Sequence, residues 1–259
     1  MAMSPEDLTD LKYAKSLLEN PGLAARIINL IGAPIEKGFE LLPEKWSTVV
    51  NKAARVSLKK ALTVVVTTLG TSGGRSSDIM HKIFVSVSGA GGGAFGLPAL
   101  ALELPISTTI MLRSIADIAR SEGEDLNDPH VKIECIQVFA LGGSSKNDDA
   151  SETGYFAVRT ALARTVSDAA QHIASKGLTQ KSAPVLLRLI SRVSSRFGVV
   201  VSEKVAAQAI PLIGAAGGAL INSLFIDHFQ DVARGHFIIR RLEKHYGENE
   251  VRKQYQQLL

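Results

Sequence analysis

Twice in this chain the sequence runs for twenty positions or more without a charge: residues 83–102, bounded by Lys82 and Glu103, and residues 205–226, bounded by Lys204 and Asp227. Both stretches reach the roughly 20 residues that a helix needs to cross a hydrocarbon core about 30 Å thick. Each carries a proline, Pro98 and Pro211, and each has glycines four apart: Gly89 and Gly93, Gly92 and Gly96, Gly214 and Gly218. That spacing lets two helix backbones approach closely, because the missing side chain removes the steric spacer. Ser86, Ser88, Gln208 and Asn222 lie inside the same stretches, and such groups are costly in lipid unless they find partners. Three fates stay open for these stretches: glycine-rich helical hairpins in a globular core, reversible docking on a membrane, or permanent spanning.

Outside them the pattern is helical. Ser4 followed by Pro5 is an N-cap with proline at the first helical position, and Leu8, Leu11, Ala14 and Leu18 mark one face up to Asn20 and Pro21. Pro43 opens a helix reaching Leu69. Its tail, residues 63–68, is β-branched enough to suit a strand, but its helical context favours helix. The glycines of residues 70–74 break the chain, Pro105 starts a helix that Gly123 closes, and Asp128 with Pro129 repeats the capped start. Residues 142–154 read as an exposed polar loop. Further helices are expected at 155–175, at 183–197, from 199 onward and at 219–246. The fold class is all-α, one compact multi-helix bundle: a helical extension at 1–40, the main domain at 41–246 and a tail at 247–259. The two glycine-rich stretches also echo each other, as a weak internal pseudo-repeat or as shared glycine bias.

Composition narrows the chemistry. The net charge of +4 suits an anionic membrane surface or an acidic partner, and equally neither. A lone cysteine, Cys135, excludes an internal disulfide framework. The first ten residues hold Glu6, Asp7 and Asp10 with no apolar run, which argues against a secretory leader and for a cytoplasmic, peripherally membrane-associated protein. No P-loop, dinucleotide fingerprint, nucleophile elbow or kinase signature occurs. No cofactor and no metal are expected.

Candidate polar sites come from helical wheels. In the helix after Pro105, Arg113 and Asp117 form an (i, i+4) pair opposite an arc of Met111, Leu112, Ile115, Ile118 and Ala119, worth about 0.5 kcal/mol as an ordinary ion pair. In the helix from 219, the arc of Phe225, Phe229, Val232 and Ile239 also holds Asn222, His236 and Arg240, and polar groups on a core face need partners. His228 and Asp231 supply two metal-ligand types but no third. Arg188, Arg192 and Arg196 recur every four residues, a basic stripe fit for phospholipid headgroups; without interleaved aromatics it does not suggest nucleic acid. Arg234, Arg240, Arg241 and Lys244 form a second basic cluster.

The runs LPISTTIMLRSIADIA at 104–119 with EGED at 122–125, and IPLIGA at 210–215 with Asn222 and DHFQDVARGHF at 227–237, resemble the EcsC family. The resemblance covers about residues 41–243 and implies membrane proximity, through the family's association with an exporter, but no catalytic residues. The expected function is therefore non-enzymatic docking on the cytoplasmic membrane face or a membrane transporter complex, with lipid as a further partner. The alternative is an enzyme acting on a lipid or hydrophobic small molecule at a polar site around His236.

Overall fold

The computed structural model describes residues 3–19, 22–32, 34–69, 96–143, 154–178, 183–210 and 214–258. Within them the chain forms α1 (Pro5–Leu18), α2 (Leu23–Ile31), α3 (Glu36–Glu40), α4 (Trp46–Thr68), α5 (Gly96–Ser121), α6 (Pro129–Leu141), α7 (Gly154–Lys176), α8 (Pro184–Ala209), α9 (Gly214–Tyr246) and α10 (Glu248–Gln257). No strand occurs among the described residues, so the all-α reading holds, and the β-branched tail of α4 is helical.

Local chemistry sets the helix ends. The Ser4 hydroxyl accepts the Asp7 amide at 3.1 Å, and the Asp128 carboxylate accepts the His130 amide at 2.8 Å; each cap precedes a proline whose absent N–H costs nothing there. Two expected boundaries are absent. Pro105 lies inside α5, with residues 96–104 forming helix before it. A proline is tolerated when the turn it disturbs faces water, and Ala101 and Leu102, one turn upstream, are exposed. Gly198 does not divide α8; it makes room for α4, since a Cβ there would stand 2.9 Å from the Asn51 side-chain oxygen.

Segments set apart in the sequence are packed. In the 1–40 extension, α1 buries Leu11 and Ala14, α2 buries Leu23 and Ile27, and Gly38 in α3 lies directly on the Ala206 carbonyl of α8. In the 247–259 tail, α10 buries Val251 and Tyr255.

The long helices run in a readable order. Gln230 donates to Ser114 at 2.8 Å, and ten residues further along α9 Arg240 donates at 2.9 Å to Glu124, just past the end of α5, so α5 and α9 lie side by side and parallel. Gln208 meets Asn222 while Phe197 packs on Phe229, which makes α8 and α9 an antiparallel hairpin. Lys204 reaches Glu103 at 2.6 Å. The starts of α5 and α9 and the end of α8 therefore share one pole of the bundle. The core is centred on Phe139, Phe197, Phe225 and Phe229, whose rings meet mainly edge-on or tilted at 5.1–5.5 Å between successive neighbours, within the favoured range for aromatic pairs.

Candidate functional site

α6 is buried almost all round, from Ile133 to Ala140. A carboxylate in such a helix must be paired, and Glu134 is. One oxygen accepts from His236 Nε2 at 3.1 Å, and the other accepts from Arg240 Nη1 at 3.0 Å, with the His130 ring 3.6 Å away. Burial pushes the Glu134 carboxyl up, but the His236 bond and the Arg240 and Arg159 charges more than offset it and hold it at about 2. With Glu134 ionised, His236 carries its proton on Nε2, and Nδ1 accepts from the Tyr155 hydroxyl at 2.8 Å. Burial, the largest influence, lowers the His236 pKa, opposed by the bond to Glu134 and its charge.

Around this chain the ions close on one another. Arg240 Nε and Lys244 Nζ grip the two oxygens of Glu124 at 2.9 and 2.7 Å, and Arg159 forks onto Glu243 with both bonds at 2.6 Å. Three carboxylates thus balance two guanidinium groups and one ammonium, which is the condition for burying charge at tolerable cost. The network joins the loop after α5 to α6, α7 and α9. Two surface depressions border it: one of about 220 Å³ lined by Arg159, Arg240, Glu243, Lys244 and Glu248, and one of about 470 Å³ lined by residues that include Asp7, Glu122, Arg241 and His245.

The sequence-derived candidates separate into different places. His236 and Arg240 belong to the network, whereas His228 is buried elsewhere, its Nε2 2.7 Å from the Gly142 carbonyl and its pKa lowered chiefly by burial. Asp231 pairs with Arg26 of α2 at 2.8 Å, and Asn222 accepts from Gln208 at 3.4 Å. The expected Arg113–Asp117 pair is replaced: Asp117 takes Arg120 at 3.1 Å, with both side chains more than half exposed, and Arg113 is half-buried. The second basic cluster is largely paired within the protein, Arg241 with Glu122 and Asp10, and Arg240 and Lys244 with Glu124.

Two arginines of the stripe are staples. Arg192 bonds the Ala161 carbonyl and Thr165 hydroxyl of α7, and Arg196 bonds the Ala140 and Gly143 carbonyls at the end of α6; Arg188 is exposed. Gly89, Gly93 and Pro211 lie outside the described residues, as does most of the first half of the pseudo-repeat. Gly96 opens α5 with Pro98 in its first turn, and Gly214 opens α9. Gly218 has nothing within 4 Å of where a Cβ would stand, so no close helix contact is made there.

Sequence reasoning missed Glu124, Glu134, Tyr155, Arg159 and Glu243. The signal for Glu134 was present, a single acid in a run of apolar residues; the others follow only from which helices meet. It also missed that Glu103 and Lys204, the charges bordering the two uncharged stretches, neutralise each other. Lys204 is 1% exposed and its ammonium lies 4.8 Å from the Phe225 ring centroid. Leu102, next to Glu103, is 75% exposed, and Leu220 of α9 is 51% exposed.

The described residues form an all-helical bundle with an ion network joining α6, α7 and α9. The chain belongs to the EcsC protein family, whose model matches residues 8–242; the match takes in most of α1 and all of α2 and α3. A search of curated proteins and of solved structures returned no match. No described helix is long and apolar enough to cross a membrane.

Proposed function

We propose that this chain is a non-enzymatic docking protein that seats its apolar pole on the cytoplasmic face of a membrane. The supporting observation is that Leu102 and Leu220, near the ends of α5 and α9 that share one pole, stand exposed, and that Glu103, next to Leu102, is paired with Lys204. An apolar surface with neutralised flanks is suited to the boundary between headgroups and acyl chains. The arginine stripe lies elsewhere: Arg188 precedes Lys204 by sixteen residues on α8, about 24 Å along the helix. Attraction to anionic lipid is thus the smaller contribution. The enzyme reading finds no support at His236, which is 0% exposed with both ring nitrogens bonded.

The test is co-sedimentation of the full chain with neutral and anionic vesicles across a salt series. Binding is expected on both and persists at high salt. Each buried leucine contributes about 1.5–3 kcal/mol, so replacing Leu102 and Leu220 together with glutamate should weaken binding about a hundredfold or more. Wild-type protein that ignores both vesicles, or binding that survives the double substitution, refutes the reading.

A further inference from the structure

Between α9 and α10 the chain turns on a single residue. The Gly247 amide donates to Glu243 at 2.8 Å, closing α9, and the Gly247 carbonyl accepts from Val251 at 3.2 Å, opening α10. Its φ of 85° and ψ of 148° fall in a region that only glycine occupies comfortably. Nothing stands within 4 Å of where a Cβ would be, so the backbone alone demands glycine. Any other residue there would favour carrying α9 straight on into α10.

The turn folds α10 back into a groove formed by α1, α7 and α9. Val251 and Tyr255 are almost wholly buried there, the Tyr255 ring meets Phe156 edge-on at 5.1 Å, and Arg252 lies over the opposite partner of that pair at 5.5 Å from the Phe156 centroid. Lys15 of α1 caps the end of α10, donating to the Tyr255 and Leu258 carbonyls at 3.2 and 2.6 Å. The seat is specific, with anchors four residues apart and a cation at the helix C-terminus, yet it is joined to the body by one residue. Those are the conditions for exchanging an identical element between copies. The family match stops at residue 242, before this helix.

We propose that the α1/α7/α9 groove is an exchangeable helix-docking site, closed here by the chain's own α10 and filled in a second state by α10 of another copy. Gly247 sets the balance, because only the closed form needs its backbone conformation.

The test uses the full chain, wild type and two variants, in size-exclusion chromatography with light scattering across a wide concentration range. Hydrogen exchange on α10 is followed in parallel. Gly247→Ala should shift the monomer–dimer constant toward dimer by about tenfold or more, with α10 amides still protected. Adding Tyr255→Ala should return the protein to monomer, because the seat in the partner is lost. A Gly247→Ala monomer with protected α10 overturns the role of the turn. A monomer with unprotected α10 overturns the second copy as occupant, and a dimer that survives Tyr255→Ala overturns the groove. A Cβ at position 247 would meet nothing within 4 Å, so Gly247→Ala should keep a cooperative melt.

Discussion

The buried ion network makes a quantitative prediction at Glu134. Replacing it with glutamine keeps the shape and an acceptor for His236 Nε2–H, but removes the charge that Arg240 faces, leaving that guanidinium with Glu124 alone. The cost can be worked two ways. Folding moves the Glu134 carboxyl from 4.5 to about 2, and at 1.36 kcal/mol per pH unit that is about 3 kcal/mol. Removing one member of a buried pair independently costs about 3–5 kcal/mol. Because the folded pKa lies below the unfolded one, this stability is present above pH 4.5 and is lost as the pH falls toward 2. Urea unfolding of wild type and Glu134→Gln, followed by circular dichroism over a pH series, should therefore show a gap of about 3 kcal/mol at pH 7 that narrows below 4.5. A gap under about 1 kcal/mol at pH 7 would mean the network is not held by charge. A large gap that ignores pH would assign the loss to packing.

Two further substitutions probe where α2 and α3 meet α8. A Cβ on Gly38 would stand 2.0 Å from the Ala206 carbonyl oxygen, so Gly38→Ala must lift α3 off α8, at a cost of about 1–3 kcal/mol. The sole tryptophan, Trp46, packs on Phe39 of α3 at 5.3 Å, so its emission should shift to the red; unchanged emission and an unchanged melt would refute the contact. Glu203 faces the Ala24 amide in the first turn of α2, and burial, opposed by that amide, pushes its carboxyl up to about 7. A raised folded pKa means stability fully present below 4.5 and lost as pH rises through about 7, so Glu203→Gln should melt higher than wild type at pH 8 and equally below pH 4.5. A variant less stable than wild type at pH 8 would show instead that the ionised carboxylate holds α2.

The difference between what was legible in the sequence and what was not has a physical pattern. Ser4 with Pro5 and Asp128 with Pro129 were readable as helix starts because the capping bonds are made within three residues. Pro105 and Gly198 misled because their local penalties are overridden by what lies across the chain, an exposed turn in one case and the side chain of Asn51 in the other. The segment at 247–259 was set apart as a tail because α10 is polar except for Val251 and Tyr255, and those two matter only once α1 and α7 have formed their groove. His236 and Arg240 could be picked out as polar groups on a core face, but Glu124 and Glu243 are ordinary surface-type acids until the tertiary fold surrounds them.

That placement also separates stability from docking. Along α9, Leu220 and Arg240 are twenty residues apart, about 30 Å of helix, so the network lies far from the apolar pole. Groups that distant, with no shared partners, behave additively. The parallel course of α5 and α9 is what sets them at opposite ends. It carries Glu124 and Arg240 to one end and Leu102 and Leu220 to the other. The network and the two exposed leucines therefore lie at opposite ends of α9, and a substitution in one is expected to leave the other unchanged.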